Sequence, residues 1–179
     1  MKTAIIYYSL DGNCALVAKT LQEILVAPPF KGKAELFEIK LMDTKKRSGF
    51  SKFLWGVGQM LKRKKPALQP LLVDPAAYDL IVLGTPVWAA SPAPALGSFL
   101  DSVTINGKKL ALFCCHAGGK GKIMEKFKAL LPGNTFMGEI DFVNPAGKRD
   151  PRQRAASSWL KELLAEWAKS LFSESTALP

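Results

Sequence analysis

Histidine is nearly missing from this chain: His116 is the only one. Cysteine is scarce as well, limited to Cys14, Cys114 and Cys115. Metal ligands normally come from spaced positions, so the adjacent Cys114-Cys115-His116 run is no zinc motif, and no metal site is expected. Neighbouring strand residues face opposite ways, which leaves Cys114 and Cys115 poorly placed to bridge each other. An odd cysteine count without a spaced framework predicts a reduced, cytoplasmic protein. No apolar run approaches the roughly 20 residues of a membrane-spanning helix; the longest candidates, Leu80–Gly84 and Leu110–Cys115, are strand-sized. Ala4–Tyr8 is apolar, but Ser9, Leu10, Asp11 and Gly12 follow it without a small-residue cleavage pattern. That reads as a strand entering a loop, not as a signal peptide. Nucleotide fingerprints are lacking too. Lys122 is followed by Ile123, which excludes a P-loop, and Gly56-x-Gly58 has neither a preceding strand nor a third glycine.

What is present points to one globular domain. The chain has 179 residues, of which 48% are hydrophobic, enough to close a sizeable core. We expect a single domain over residues 1–179. Acids are outnumbered, 15 against 25 lysines and arginines, for a formal net charge of +10. Such a surplus attracts polyanions: nucleic acid, anionic lipid, acidic proteins or phosphorylated ligands. It is concentrated in one stretch, where Lys45, Lys46, Arg47, Lys52, Lys62, Arg63, Lys64 and Lys65 stand against Asp43 alone.

Short buried strands alternate with amphipathic helices. Lys2–Tyr8, Ala34–Ile39, Leu80–Gly84, Lys109–Cys115 and Thr135–Val143 read as strands. Val17, Leu21, Ile24 and Leu25 mark one helix face, closed by Pro28 and Pro29. Phe50, Phe53, Leu54, Val57, Met60 and Leu61 mark a second helix over Gly49–Lys64, weakened by Gly56 and Gly58, so that a basic amphipathic helical segment is expected at about 43–75. Ser91-Pro92 reads as the start of the third, with Leu96, Phe99, Leu100 and Val103 facing inward. Ile123, Phe127, Leu130 and Leu131 mark a fourth. Asp150-Pro151 caps the last, whose stripe is Ala156, Leu160, Leu163, Leu164, Trp167 and Leu171. This alternation predicts an α/β doubly wound parallel sheet with helices on both faces. Ligands of such sheets bind beyond the carboxyl ends of the strands, so the loops after the first, third and fourth strands are the candidate site.

Each of those loops carries a ligand-like signal. Ser9-Leu10-Asp11-Gly12-Asn13-Cys14 joins a buried strand to a helix N-terminus, where unpaired amides and the helix dipole favour a phosphate. Gly84-Thr85-Pro86-Val87-Trp88-Ala89-Ala90-Ser91-Pro92 places a tryptophan at the sheet edge, suited to stacking on a planar ring, although packing onto the core is the plainer reading. His116-Ala117-Gly118-Gly119-Lys120-Gly121 exposes backbone amides, or serves as a flexible connector.

Taken together the three loops resemble the flavodoxin-like family, most of all in the stretch GTPVWAASPAP, and the resemblance runs from about Lys2 to Phe172. It implies a five-stranded sheet of order 2-1-3-4-5 with FMN as cofactor. It places Ser9, Leu10, Asp11, Gly12, Asn13 and Cys14 around the phosphate, and Thr85, Pro86, Val87, Trp88 and Ala89 along the ring. His116, Ala117, Gly118 and Gly119 then fall at the ring's other edge. The family usually has hydroxyl residues where this chain has Asp11 and Cys14. A similar Asp-Gly pair occurs in its protoporphyrinogen-dehydrogenase branch.

The resemblance implies an FMN-binding redox protein of one of two kinds. An electron carrier would meet a redox partner protein, which the basic charge predicts to be acidic, whereas family flavodoxins are typically acidic themselves. An FMN-dependent NAD(P)H oxidoreductase would pass electrons to a quinone or other small acceptor. A flavodoxin-like binding module that has lost its flavin and acts through its basic surface is the alternative, motivated by Asp11 and Cys14. Reduced flavin tends toward an anion, so positive surroundings favour it. His116 is the one candidate for assisting proton transfer, and a simple hydrogen bond to cofactor or loop is the plainer reading. The basic Gly49–Lys65 stretch reads as a core-facing helix with a lysine face, as a flap in which Phe50, Phe53 and Trp55 shape a pocket, or as a peripheral membrane contact. No stacking platform accompanies its lysines, which argues against nucleic acid.

Overall fold

The computed structural model describes residues 1–42, 65–147 and 156–173. Strand β1 (Lys2–Tyr8) is buried along nearly its whole length and leads into helix α1 (Asn13–Val26). Strand β2 is Lys33–Ile39. After a 3-10 turn at Pro75–Ala77 come β3 (Leu80–Trp88) and the two-residue β4 (Ser91–Pro92). Helix α2 (Pro94–Ser102), β5 (Lys109–His116), α3 (Ile123–Ala129), β6 (Thr135–Val143) and α4 (Ala156–Ser173) complete the chain. The order across the sheet is β2-β1-β3-β5-β6, with every neighbouring pair parallel. Short β4 pairs antiparallel with β3 off this path. Without β4 this is the expected 2-1-3-4-5 order.

Two apolar layers hold the sheet, as strands without a polar face require. On one side α1 and α4 bring Val17, Leu21, Leu25, Leu164 and Leu171 against Ile5, Val82 and Phe113. On the other, α2 and α3 bring Leu96, Phe99, Ile123 and Phe127 against Ile6, Ile81, Leu83 and Leu112. All five long strands therefore end at one edge, where their loops gather.

Four expectations change. Strand β3 does not stop at Gly84 but runs on to Trp88. Ser91-Pro92 starts no helix: both residues pair back onto β3, and α2 begins with Pro94 at its first position behind Ala93. Leu130 is 49% exposed, and Met124 takes a buried place instead. Residues 65–74 form no helix; they run irregularly, tied to the chain before them by the Leu41–Leu68 bridge and by Gln69 Nε2 donating to Leu41 O at 3.2 Å. The expected helix at Gly49–Lys64, with the flap residues Phe50, Phe53 and Trp55, and the Asp150-Pro151 cap with its neighbouring Lys148, Arg149, Arg152 and Arg154 lie outside the described residues. Among the described residues no helix is long and apolar enough to cross a membrane.

Candidate functional site

Gly12 holds φ +85° immediately before α1, in the left-handed region where a side chain is disfavoured. No side chain caps the helix from that position, so the first amides of α1 keep no intrahelical acceptor. Two neighbouring side chains are already oriented by the protein. Ser9 Oγ accepts from Ala15 N–H at 3.2 Å. Asn13 Oδ1 accepts from Ala146 N–H at 2.8 Å. Each thereby uses an acceptor internally and retains its hydrogen-bond donors, the hydroxyl proton of Ser9 and the amide N–H2 of Asn13. A cluster rich in donors at a helix N-terminus suits an anion. Asp11 is exposed, while Leu10 packs partly buried on the core. Cys14 is only 1% exposed and its side chain belongs to the core on the α1 side. Burial and the neighbouring Cys115 push that thiol well above its ordinary range, which leaves the backbone N–H as Cys14's offering to a ligand.

The second loop is a two-residue β-hairpin. Val87 pairs with Pro92 and Trp88 with Ser91, so Ala89 and Ala90 form the tip, at φ 45° and 55°. Two left-handed residues in succession match the twist of the flanking strands, a geometry usually given to Asn-Gly. Here alanines hold it, at about 1–2 kcal/mol of strain each, and such strain gathers where a ligand is clamped. Thr85 is fully buried, so its side chain is closed off from the loop edge. Its Oγ1 accepts from Ala93 N–H at 3.0 Å and so caps α2 from within β3. Replacing Thr85 by Val should strand the buried Ala93 amide and cost about 1–3 kcal/mol in chemical denaturation, whereas Thr85→Ser should keep most of the stability. Pro86, Val87 and Trp88 are half-buried. Trp88 meets Tyr8 edge-on, with centroids 6.3 Å apart and planes at 80°. Burial, with Asp11 adding to it, pushes the Tyr8 hydroxyl up to about 12.

The glycine loop touches this hairpin. A Cβ on Gly121, itself at φ +55°, would stand 2.6 Å from Ala90 Cβ, so glycine permits the approach. Lys126 Nζ donates to Ser91 Oγ at 2.8 Å and holds the hairpin's return strand to α3. Ala117, Gly118 and Gly119 are exposed, and a Cβ on either glycine would meet nothing within 4 Å. His116 is turned elsewhere. Its side chain is 7% exposed, and Nε2 lies 3.0 Å from Asp141 Oδ2. The other Asp141 oxygen is 2.6 Å from Lys120 Nζ. Partial burial raises the Asp141 carboxyl, but the hydrogen bonds and charges of Lys120 and His116 outweigh it and hold it below its usual range. The same bond raises the Lys120 ammonium. His116 Nδ1 is buried without a hydrogen-bond partner among the described residues.

A fourth loop, not anticipated from the sequence, completes the edge. Asn144, at φ 42°, donates its N–H to His116 O at 2.9 Å, and Gly147 N–H closes a turn onto Asn144 O at 2.9 Å. Between them sits Ala146, whose amide holds Asn13. The turn after β6 therefore ties the glycine loop to the start of α1. Asn144-Pro145-Ala146-Gly147 was a readable turn signal; its place beside α1 depends on the sheet order and was not.

A parallel sheet of order β2-β1-β3-β5-β6 with helices on both faces, its strand-end loops gathered at one edge, defines a flavodoxin-like α/β protein. The flavodoxin family model matches residues 2–161, and the chain belongs to that family. Among solved structures it is similar to a flavoprotein from Lactobacillus acidophilus in complex with FMN, at 26% identity over 78% of this chain and 92% of that one, with a TM-score of 0.64. It shares the fold of flavodoxin 2 from Bacillus cereus, at 19% identity, TM-score 0.56, over 97% and 99% of the chains. It shares it also with two-electron reduced Megasphaera elsdenii flavodoxin, at 21%, 0.51, over 92% and 98%. No curated protein matches the sequence. The residues present fit FMN: retained donors at the α1 start suit its phosphate, and the open space beside Gly118 and Gly119 suits a ring edge. Among the described residues no group of three histidines, cysteines or acids is placed to hold a metal.

Proposed function

We propose that this protein binds FMN at the edge formed by these loops and uses it to move electrons. The observation that carries the reading is the α1 start, where Ser9 and Asn13 are fixed through their oxygens and keep their donors for a phosphate. Amides of Asn13 and Cys14 would add to them, with Gly12 and Asp11 shaping the loop. Pro86, Val87, Trp88 and Ala89 would line the ring on the hairpin side, and Ala117, Gly118 and Gly119 the opposite edge. Bound flavin supplies the electron and hydride chemistry; the chain binds it, orients it and shields one face from water. His116 serves here as an internal tie to Asp141. Reduced thiols, all three buried, accord with a cytoplasmic setting.

The donor is either NAD(P)H, in an FMN-dependent oxidoreductase passing electrons to a quinone-type acceptor, or an acidic redox protein. The net charge of +10 favours both a nicotinamide dinucleotide phosphate and an acidic partner. Anaerobic addition of NADPH to the FMN-loaded protein decides between them. Rapid bleaching of the yellow flavin colour makes it a reductase. Bleaching by dithionite alone makes it a carrier, and failure to take up FMN defeats both.

A further inference from the structure

The glycine loop carries one ammonium that is tied down: Lys120, on Asp141 Oδ1 at 2.6 Å. The carboxylate reaches it from β6, a strand outside the loop, and its second oxygen holds His116 at 3.0 Å. An ionised carboxylate only accepts, so His116 Nε2 carries the proton in that bond. The Lys120 and Asp141 side chains are 48% and 29% exposed, so neither is forced into the pair by burial. Lys128 and Glu139 repeat the arrangement two residues earlier on β6, at 2.6 Å. That second pair lies along α3, away from the glycine loop, and secures the helix to the strand. Securing α3 thus does not require Asp141. What the first pair adds is charge balance: a positive group on the loop is cancelled in place.

Resting on the FMN reading above, we propose that Asp141 sets the flavin's reduction potential by neutralising Lys120. Two electrons and one proton convert oxidised FMN into a reduced form with one added negative charge. A free ammonium in the glycine loop stabilises that charge, and a free carboxylate beside it opposes it. The intact pair does neither. Asp141 is therefore a positioning residue: it touches Lys120 and not the flavin, and what reaches the flavin is the net charge of the pair, acting through space.

The test is a dye-equilibrated potentiometric titration of FMN-loaded wild type, Asp141→Asn, Lys120→Met and the double variant, at one pH and low salt. At a fixed poise Asp141→Asn should raise the ratio of reduced to oxidised flavin, and Lys120→Met should lower it. Each shift should be about two- to tenfold, the size expected of one unit charge that solvent partly screens. The double variant should return close to wild type. A purely structural role would move both single variants the same way, through a loosened loop. A second readout needs no cofactor. His116 is the only histidine, so its ring nitrogens give unassigned but unambiguous nitrogen-15 signals in the FMN-free protein. These should show the Nε2–H form in wild type and Lys120→Met, and shift in Asp141→Asn. Wild type that fails to bind FMN defeats the functional reading. Wild type that binds FMN, with variant potentials unchanged or displaced in one direction, overturns this proposal alone.

Discussion

Gly84→Ala should be among the most destabilising single-methyl changes available in this protein. A Cβ at Gly84 would lie 1.9, 2.3 and 2.5 Å from three atoms of the Phe113 ring. Real carbon contacts never come so close, so the ring must leave. Phe113 is fully buried, pairs directly with Gly84 across β3 and β5, and sits in the layer beneath α1 and α4. Overpacking of a close-packed core costs about 1–3 kcal/mol and occasionally more; a clash with a whole ring in the middle of the sheet belongs at the upper end. For a chain of this size that is a fall of roughly 6–12 °C in melting temperature. Phe113→Leu alone should also destabilise, by lost volume. The discriminating result is the double variant Gly84→Ala/Phe113→Leu, which should melt above Gly84→Ala. Equal melting of the two would mean that the ring had a way around the methyl.

Gly84 also shows where sequence reading succeeded and where it stopped. The strand was legible because Leu80–Leu83 is an apolar run bounded by turn residues. The glycine at its apparent end suggested a loop, yet there it serves the aromatic covering it, and β3 continues to Trp88. Local signals at Ser91-Pro92 matched a helix start well. They lost to a hairpin whose two-residue turn of alanines has no sequence signature, since the usual Asn-Gly is absent. The family resemblance places Thr85 along the ring, and nothing in the local sequence signals that its hydroxyl is used inside the protein. Only the hairpin explains why its hydroxyl turns inward to Ala93. The sheet order, both apolar layers and three of the four loops followed from periodicity and from the family resemblance. Asp141 did not, because an acid on the last strand of a sheet looks like an ordinary solvated edge. Its partners come from the far end of β5 and from the glycine loop, 25 and 21 residues away in sequence. Long-range pairs of this kind carry no local pattern.

Asn13→Asp should separate flavin phosphate binding from folding more sharply than any other single change. The aspartate oxygen still accepts from Ala146 N–H, preserving the tie between α1 and the turn after β6. A negative charge at a helix N-terminus contributes about 0.3–1 kcal/mol, so the variant should melt at or slightly above the wild-type temperature. Its two amide donors, however, become a second carboxylate beside Asp11. Losing a charge-assisted hydrogen bond costs about 1.5–3 kcal/mol, and repulsion of the phosphate dianion adds to it. FMN affinity, read from quenching of flavin fluorescence, should fall by about 100-fold or more. Riboflavin has the same ring and no phosphate, and its affinity should change little. Asn13→Ala completes the logic: it loses the Ala146 tie as well as the donors, so it should lower both stability and FMN affinity, the latter by less than Asn13→Asp because no charge is introduced. Undiminished FMN binding in Asn13→Asp would remove Asn13 from the phosphate site and leave it as a bracket for the fourth loop. A parallel loss of riboflavin would mean that the α1 start shapes the whole pocket instead of reading the phosphate.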